Sequence, residues 1–194
     1  MKLCVTLFVL AFAMLQLPGM AFASTMNFEG LTANQYHSPP YTENGITLDA
    51  TAFWIAGPGG PNCGLGGCMD DGTNVAALQT QATVTTGSVF TLSSFDYAYS
   101  FREPGESTSL TITGNINGGG TYNDTVALNI GGGFTTAALG WGNLDSVSFI
   151  SSANWFTLDN ITVIGSTVPE PGSLALFGSG LVGLVCLARR RLRK

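Results

Sequence analysis

Short β-prone runs separated by glycine dominate this chain, and the pattern restricts it to an all-β fold. Apolar and polar residues alternate most clearly over Leu110–Thr113, Val126–Ile130 and Val147–Phe149. Alternation with a period of two is typical of strands that bury one face. The triple glycines Gly118–Gly120 and Gly131–Gly133 predict turns on either side of one such run.

Segments of this kind recur along the chain, and no segment between the two termini has helical periodicity. The predicted strands are Met26–Glu29, Gly45–Ala50, Val75–Thr80, Val89–Phe101, Thr108–Ile116, Tyr122–Ile130, Ser146–Ile150 and Trp155–Ile164. Several short strands at near-regular spacing favour a two-sheet β-sandwich.

The N-terminus has the features of a signal peptide. Lys2 precedes an apolar stretch, Leu3–Leu17, and Ala21-Phe22-Ala23 has the small-x-small pattern of a cleavage site. We therefore expect export, removal of residues 1–23, and one exported domain over residues 24–166 that is long enough for a core of its own. A retained N-terminal anchor is the alternative.

The C-terminus has three parts. Pro169-Glu170-Pro171 is rigid, because each proline fixes φ and removes a backbone donor. The apolar run Ser173–Ala188 follows, and Arg189-Arg190-Arg191 then begins a basic end that favours the cytoplasmic side of a membrane. At about 1.5 Å per residue the predicted transmembrane helix, residues 173–188, spans about 24 Å, which is short for a bilayer core of about 30 Å. Both a temporary anchor and an ordinary single-pass anchor remain open.

This order of parts resembles the PEP-CTERM sorting signal of Gram-negative bacteria. The resemblance implies that an exosortase, a membrane-embedded sorting enzyme, recognises residues 167–194, cuts near Pro169-Glu170-Pro171 and passes the protein to the cell surface. Proteins with this signal occur alongside exopolysaccharide and biofilm systems. The resemblance therefore implies a transient membrane anchor followed by a cell-surface or extracellular location.

The charge of the predicted exported domain is strongly negative. The domain contains one basic residue, Arg102, and eleven acidic residues. Five of the seven basic residues of the chain lie in its last six positions. Nucleic-acid binding requires clustered Lys and Arg that neutralise phosphates, so that class of function is excluded.

Two cysteines lie close together in the domain. Cys63 and Cys68 belong to Cys-Gly-Leu-Gly-Gly-Cys, and an oxidising compartment favours a disulfide between them. A zinc site is the alternative, although two cysteines without a nearby histidine are too few ligands for the usual zinc set.

Signatures of catalysis are missing from the sequence. His37 is the single histidine, and it lies in a segment predicted as loop; no Gly-x-Ser-x-Gly motif occurs. A carboxylate pair for glycoside hydrolysis can be drawn from the eleven acids, but no pattern selects one. We therefore expect a non-enzymatic protein.

The two ends of the domain resemble jelly-roll modules of the carbohydrate-binding type. The matching segments are Asn27–Gly30 and Phe156–Ile161. The resemblance implies adjacent terminal strands, with Glu29 and Asp159 holding a structural Ca²⁺ as part of a shell of six to eight oxygens. The alternative is that both acids end strands at the surface. Asp70–Asn74 also has alternating oxygen ligands, but a plain turn is the preferred interpretation.

Aromatic residues suggest how a sugar would bind. The aromatic residues able to stack on sugar rings, if they are exposed, are Trp54, Trp141, Trp155, Tyr97 and Tyr99. Trp141 lies between two glycines and is the candidate ligand-binding residue, with core packing as the alternative for each. We expect a surface or matrix protein that binds polysaccharide in a biofilm or envelope; a secreted exopolysaccharide hydrolase and a purely structural matrix protein are the alternatives.

Overall fold

A computed structural model of the chain describes residues 22–58, 71–99, 108–128 and 133–165. Within these residues every strand pairing is antiparallel, which confirms the predicted all-β class. The strands are β1 (Ala23–Met26), β2 (Gln35–His37), β3 (Tyr41–Glu43), β4 (Ile46–Ala50), β5 (Phe53–Ala56), β6 (Val75–Tyr99), β7 (Thr108–Ile116), β8 (Thr121–Leu128) and β9 (Thr135–Gly165). Residues 22–166 form one compact unit.

The sheet is organised by its two long strands, β6 and β9. The main strand order is β2-β5-β6-β9-β7-β8, while β1 pairs with β9, and β4 joins β3 to β6. β6 and β9 pair in several registers separated by irregularities, so different stretches of each strand have different neighbours. The prediction of two strands, Val75–Thr80 and Val89–Phe101, was therefore wrong in one respect. Residues 82–86 between them also pair with β4 and β9, and this joins both into β6.

The core lies on one face of this sheet and is rich in phenylalanine. Phe95 of β6 and Phe149 of β9 meet edge to face with ring centroids 5.0 Å apart. Other fully buried rings are Phe28, Phe53, Phe90 and Phe156. Aromatic side chains bury large apolar areas, so these rings supply much of the driving force for folding.

A tight connection follows β1. Phe28 has a φ of 60°, a left-handed conformation that costs energy for a residue with a side chain. Glu43 of β3 stabilises this conformation, because its Oε2 accepts hydrogen bonds from the backbone N–H groups of Asn27 and Phe28, each at 3.0 Å. The predicted first strand, Met26–Glu29, therefore ends three residues earlier, at Met26.

Several predictions concern residues outside the described ranges. Cys63 and Cys68, Arg102, residues 1–21 of the predicted signal peptide and the whole C-terminal tail are among them. Ala23, the last residue of the predicted signal peptide, begins β1. In the described part of the chain, no helix has the length and apolar character needed to cross a membrane. His37 is described, and the prediction that it lies in a loop was wrong: it belongs to β2, where its Nε2 lies 3.0 Å from the carbonyl oxygen of Thr32.

Candidate functional site

Three aromatic side chains share one face of the sheet. Tyr36 of β2 pairs with Trp54 of β5, which in turn pairs with Ala77 of β6. Trp155 of β9 pairs with Gln79, two residues beyond Ala77 along β6. Paired residues, and residues two apart on a strand, point to the same face. We refer to Tyr36, Trp54 and Trp155 as the aromatic face.

The aromatic face points away from the hydrophobic core. The residues one position along each strand, Phe53, Leu78 and Phe156, are fully buried members of the core cluster. Because side chains alternate across a strand, Trp54 and Trp155 must lie on the opposite side. The sequence therefore directs one face of β5, β6 and β9 to the phenylalanine-rich core and places Trp54 and Trp155 on the other.

The geometry of the aromatic face suits a flat ligand. Tyr36 is 66% exposed and meets Trp54 edge to face, with ring centroids 4.7 Å apart. Trp54, Trp155 and Gln79 are half-buried. Trp54 and Trp155 stand two strands apart, about 10 Å, and the small Ala77 lies on the strand between them. Aromatic walls with a few polar groups are typical of small-molecule binding sites.

Two buried polar groups continue this face along β9. Thr157 pairs with Ala77 on one side and Ala98 on the other, and Asp159 follows two residues later. Both side chains are buried, and neither Thr157 Oγ1 nor Asp159 Oδ1 has a hydrogen-bond partner. Buried polar atoms are nearly always hydrogen-bonded. These two atoms therefore carry a cost that a further partner would relieve.

Asp159 lies in an environment that disfavours its charged form. Burial, together with the nearby carboxyl groups of Asp71 and Asp96, raises its pKa to about 7, and a backbone hydrogen bond from Asn160 acts in the opposite direction. Both carboxylate oxygens of Asp96 accept hydrogen bonds. Thr136 Oγ1 donates to its Oδ1 at 2.5 Å, and Asn160 Nδ2 donates to its Oδ2 at 2.9 Å.

The segment before β6 brings Glu29 close to this acidic group. Asn74 donates its backbone N–H to Glu29 Oε1 at 2.8 Å and its side-chain amide to the Leu31 carbonyl at 3.0 Å. Asp71, three residues earlier, lies close enough to Asp159 for its carboxyl group to raise the pKa of Asp159. The two acids predicted to hold Ca²⁺ therefore both contact residues 71–74.

A cation would fit only part of this arrangement. Asp159 offers a buried carboxylate oxygen without a partner, which is the chemistry that Ca²⁺ prefers. Among the described residues, however, no three His, Cys, Asp or Glu side chains are grouped as metal ligands. Asp71 also begins a turn, since its Oδ1 accepts the Thr73 N–H at 3.0 Å.

Trp141, the predicted ligand-binding residue, lies elsewhere. It is half-buried against the core and stacks on Tyr122 of β8, with centroids 5.4 Å apart and ring planes 21° apart. Tyr97 and Tyr99 are buried, so they present no surface for a sugar. The sequence analysis gave Trp54 and Trp155 as candidate sugar-binding residues but did not predict that they share a face. It did not select Tyr36, Gln79 or Thr157 as candidates.

Comparison with known families identifies the C-terminus. Residues 167–193 match the model of the PEP-CTERM protein-sorting motif. This chain carries a PEP-CTERM sorting motif. The match confirms the sorting signal expected from the Pro-Glu-Pro residues, the apolar run and the basic end.

A search of curated proteins finds no match to the chain. Similar solved structures include the CBM22-1 and GH10 modules of endo-1,4-beta-D-xylanase 10B from Clostridium thermocellum, complexed with xylohexaose. This structure is 15% identical, with a TM-score of 0.42 over 77% of this chain and 30% of the xylanase chain. A CBM22-1 xylan-binding domain from Paenibacillus barcinonensis is 10% identical, with a TM-score of 0.38 over 76% and 95% of the two chains. CBM32-3 of a Clostridium perfringens family 31 glycoside hydrolase is 12% identical, with a TM-score of 0.32 over 75% and 95%. The chain thus spans under a third of the xylanase chain.

Proposed function

We propose that this chain is an exported, non-enzymatic protein of the cell surface or extracellular matrix, and that its β domain binds neutral polysaccharide through the aromatic face. One observation carries the proposal: Tyr36, Trp54 and Trp155 share a face that the core does not use, and none of them is fully buried. A jelly-roll-like sandwich is the architecture we infer for the domain, because β6 and β9 exchange partners along their lengths.

The chemistry of the aromatic face favours sugars. A pyranose ring has an apolar C–H face that stacks on an aromatic ring, and the amide of Gln79, which pairs with Trp155, can hydrogen-bond to the hydroxyl groups of the sugar. Asp96 lies on β6 at the end of the same face and is only half-buried. Like charges repel, so a neutral glycan is preferred over a uronic-acid or sulfated one.

Binding is tested by screening residues 22–166 on an array of neutral and uronic-acid oligosaccharides, with and without Ca²⁺. We expect signal on neutral glycans that Tyr36→Ala lowers at least tenfold. Ile150→Ala is the matched control, because Ile150 is 50% exposed and lies outside the aromatic face. Absence of signal on every glycan would favour the purely structural matrix protein.

A secreted hydrolase is the second candidate, and one observation favours it. Asp159, with its pKa raised to about 7, faces Asp96 across two paired strands, and two carboxyl groups in unlike environments are typical of acid–base pairs. Asp159 is only 1% exposed, which works against direct contact with a substrate. Incubation with soluble xylan and an assay for new reducing ends tests this; release that Asp159→Asn abolishes would establish the hydrolase.

Calcium binding at Glu29 and Asp159 is also a proposal. The free Oδ1 of Asp159 supports it, and bound Ca²⁺ would neutralise the charge that burial makes unfavourable. We expect added Ca²⁺ to raise the melting temperature and a chelator to lower it. An unchanged melting curve would exclude the site.

The sorting motif supports an exosortase-type enzyme as the partner, with a transient membrane anchor before release. Replacing Pro169-Glu170-Pro171 by alanines should leave full-length protein in the membrane fraction, whereas Ser166→Ala, just outside the matched motif, should not. Mass spectrometry of the released protein gives the cleavage point. If the unaltered chain also keeps its tail, the ordinary single-pass anchor is correct.

A further inference from the structure

The two ends of the strand order carry the same combination of residues. β2 and β8 are the first and last strands, and each exposes one tyrosine, Tyr36 at 66% and Tyr122 at 38%. Each tyrosine packs against a half-buried tryptophan, Trp54 in the first case and Trp141 in the second. These two are the exposed tyrosines of the described part of the chain.

The ring planes of Tyr122 and Trp141 are closer to parallel than those of Tyr36 and Trp54, which lie 81° apart. The rings of Tyr122 and Trp141 stack at 21° from parallel, so Trp141 supports the exposed ring of Tyr122 from behind. Gly114 of β7 pairs directly with Tyr122 and leaves space for the Trp141 ring. A Cβ at Gly114 would lie 3.0 Å from Trp141 Cε3. Trp141 is thereby held against the backbone before any ligand arrives, which lowers the entropic cost of binding.

A negative charge near this pair restricts its ligand. Asp124 lies two residues from Tyr122 on β8 and therefore on the same face, where it is exposed. Anionic chains are repelled here, whereas a neutral sugar ring can stack on the aromatic surface and use the Asp124 carboxylate as a hydrogen-bond acceptor.

We infer that Tyr122 and Trp141 form a second site for neutral polysaccharide, which makes the domain bivalent. This inference rests on the proposed function, because it assigns the same ligand class to both sites. Two sites at opposite ends of the strand order allow one molecule to hold two polysaccharide segments at once. Simultaneous engagement raises the apparent affinity for a long polymer far above that for a short one.

The test counts sites with two neutral probes, xylohexaose and cellohexaose. Calorimetric titration of residues 22–166 should give two sites per chain for the probe that binds. Tyr36→Ala and Tyr122→Ala should each leave one site, and the double variant should leave none. Tyr122→Phe keeps the ring and should keep both sites, while Ile150→Ala serves as the unaffected control.

Light scattering with a long neutral polymer, soluble xylan or hydroxyethylcellulose, adds a readout of bridging. The unaltered domain should increase scattering, and either single tyrosine variant should abolish the increase while its melting curve stays unchanged. One site per chain, unaffected by Tyr122→Ala, would overturn the second site alone. No binding of either probe or polymer would overturn the proposed function as well.

Discussion

Replacing Asp159 by asparagine should stabilise the domain at neutral and alkaline pH. Burial and the neighbouring Asp71 and Asp96 raise the pKa of Asp159 from 3.8 to about 7. Between these two pKa values the folded state holds a proton that the unfolded state has lost, so the contribution of Asp159 to stability is greatest below pH 3.8 and falls as the pH rises to about 7. At about 1.4 kcal/mol per pKa unit the upper limit of this loss is about 4 kcal/mol, and screening by nearby water reduces the expected value to about 2 kcal/mol.

Thermal unfolding of residues 22–166 in a chelator measures this effect. At about 3 °C per kcal/mol, Asp159→Asn should raise the melting temperature at pH 8 by about 6 °C and leave it unchanged at pH 3.5. Asp49→Asn, an exposed change on β4, controls for the loss of one negative charge. A melting temperature that Asp159→Asn lowers at pH 8, or shifts equally at both pH values, would refute the argument.

Three further predictions concern stability and use the same melting assay. Thr157→Val should be neutral or stabilise by about 1 kcal/mol, because the hydroxyl it removes has no partner; a loss above that amount would reveal a hidden hydrogen bond. Gly114→Ala should cost about 1–3 kcal/mol, since the new Cβ would crowd Trp141, whereas Gly87→Ala has open space and should not; equal effects would contradict the close packing. Glu43→Ala should cost about 1–3 kcal/mol by leaving two backbone N–H groups without an acceptor, and Glu43→Gln, which keeps one acceptor, should cost less; the reverse order would contradict this role.

The strands that alternate were predictable, and those that do not were missed. Thr108–Ile116 was predicted with the bounds that β7 has, because Leu110 and Ile112 alternate with threonines. β5, Phe53–Ala56, was missed, because three of its four residues are buried and it shows no period of two. β2 is only three residues long, too short for a periodic signal.

The aromatic face depends on strand register, which one sequence does not specify. Trp54 and Trp155 are about a hundred residues apart, and only the pairing of β6 with β5 and β9 places them on one face. Residues 155–159 did carry a signal: Trp155, Thr157 and Asp159 alternate with Phe156 and Leu158, which indicates a second, more polar face. By contrast, the sorting motif needs no long-range contact to be recognised, so it was found from local residues alone.

The most direct test of the central claim is calorimetric titration of xylohexaose and cellohexaose into the domain and its Tyr36→Ala, Trp54→Ala double variant. The proposed polysaccharide site on the aromatic face predicts binding of a neutral probe by the unaltered domain and the loss of one site in the variant, with its circular dichroism spectrum retained. Full binding by a folded variant would contradict the claim.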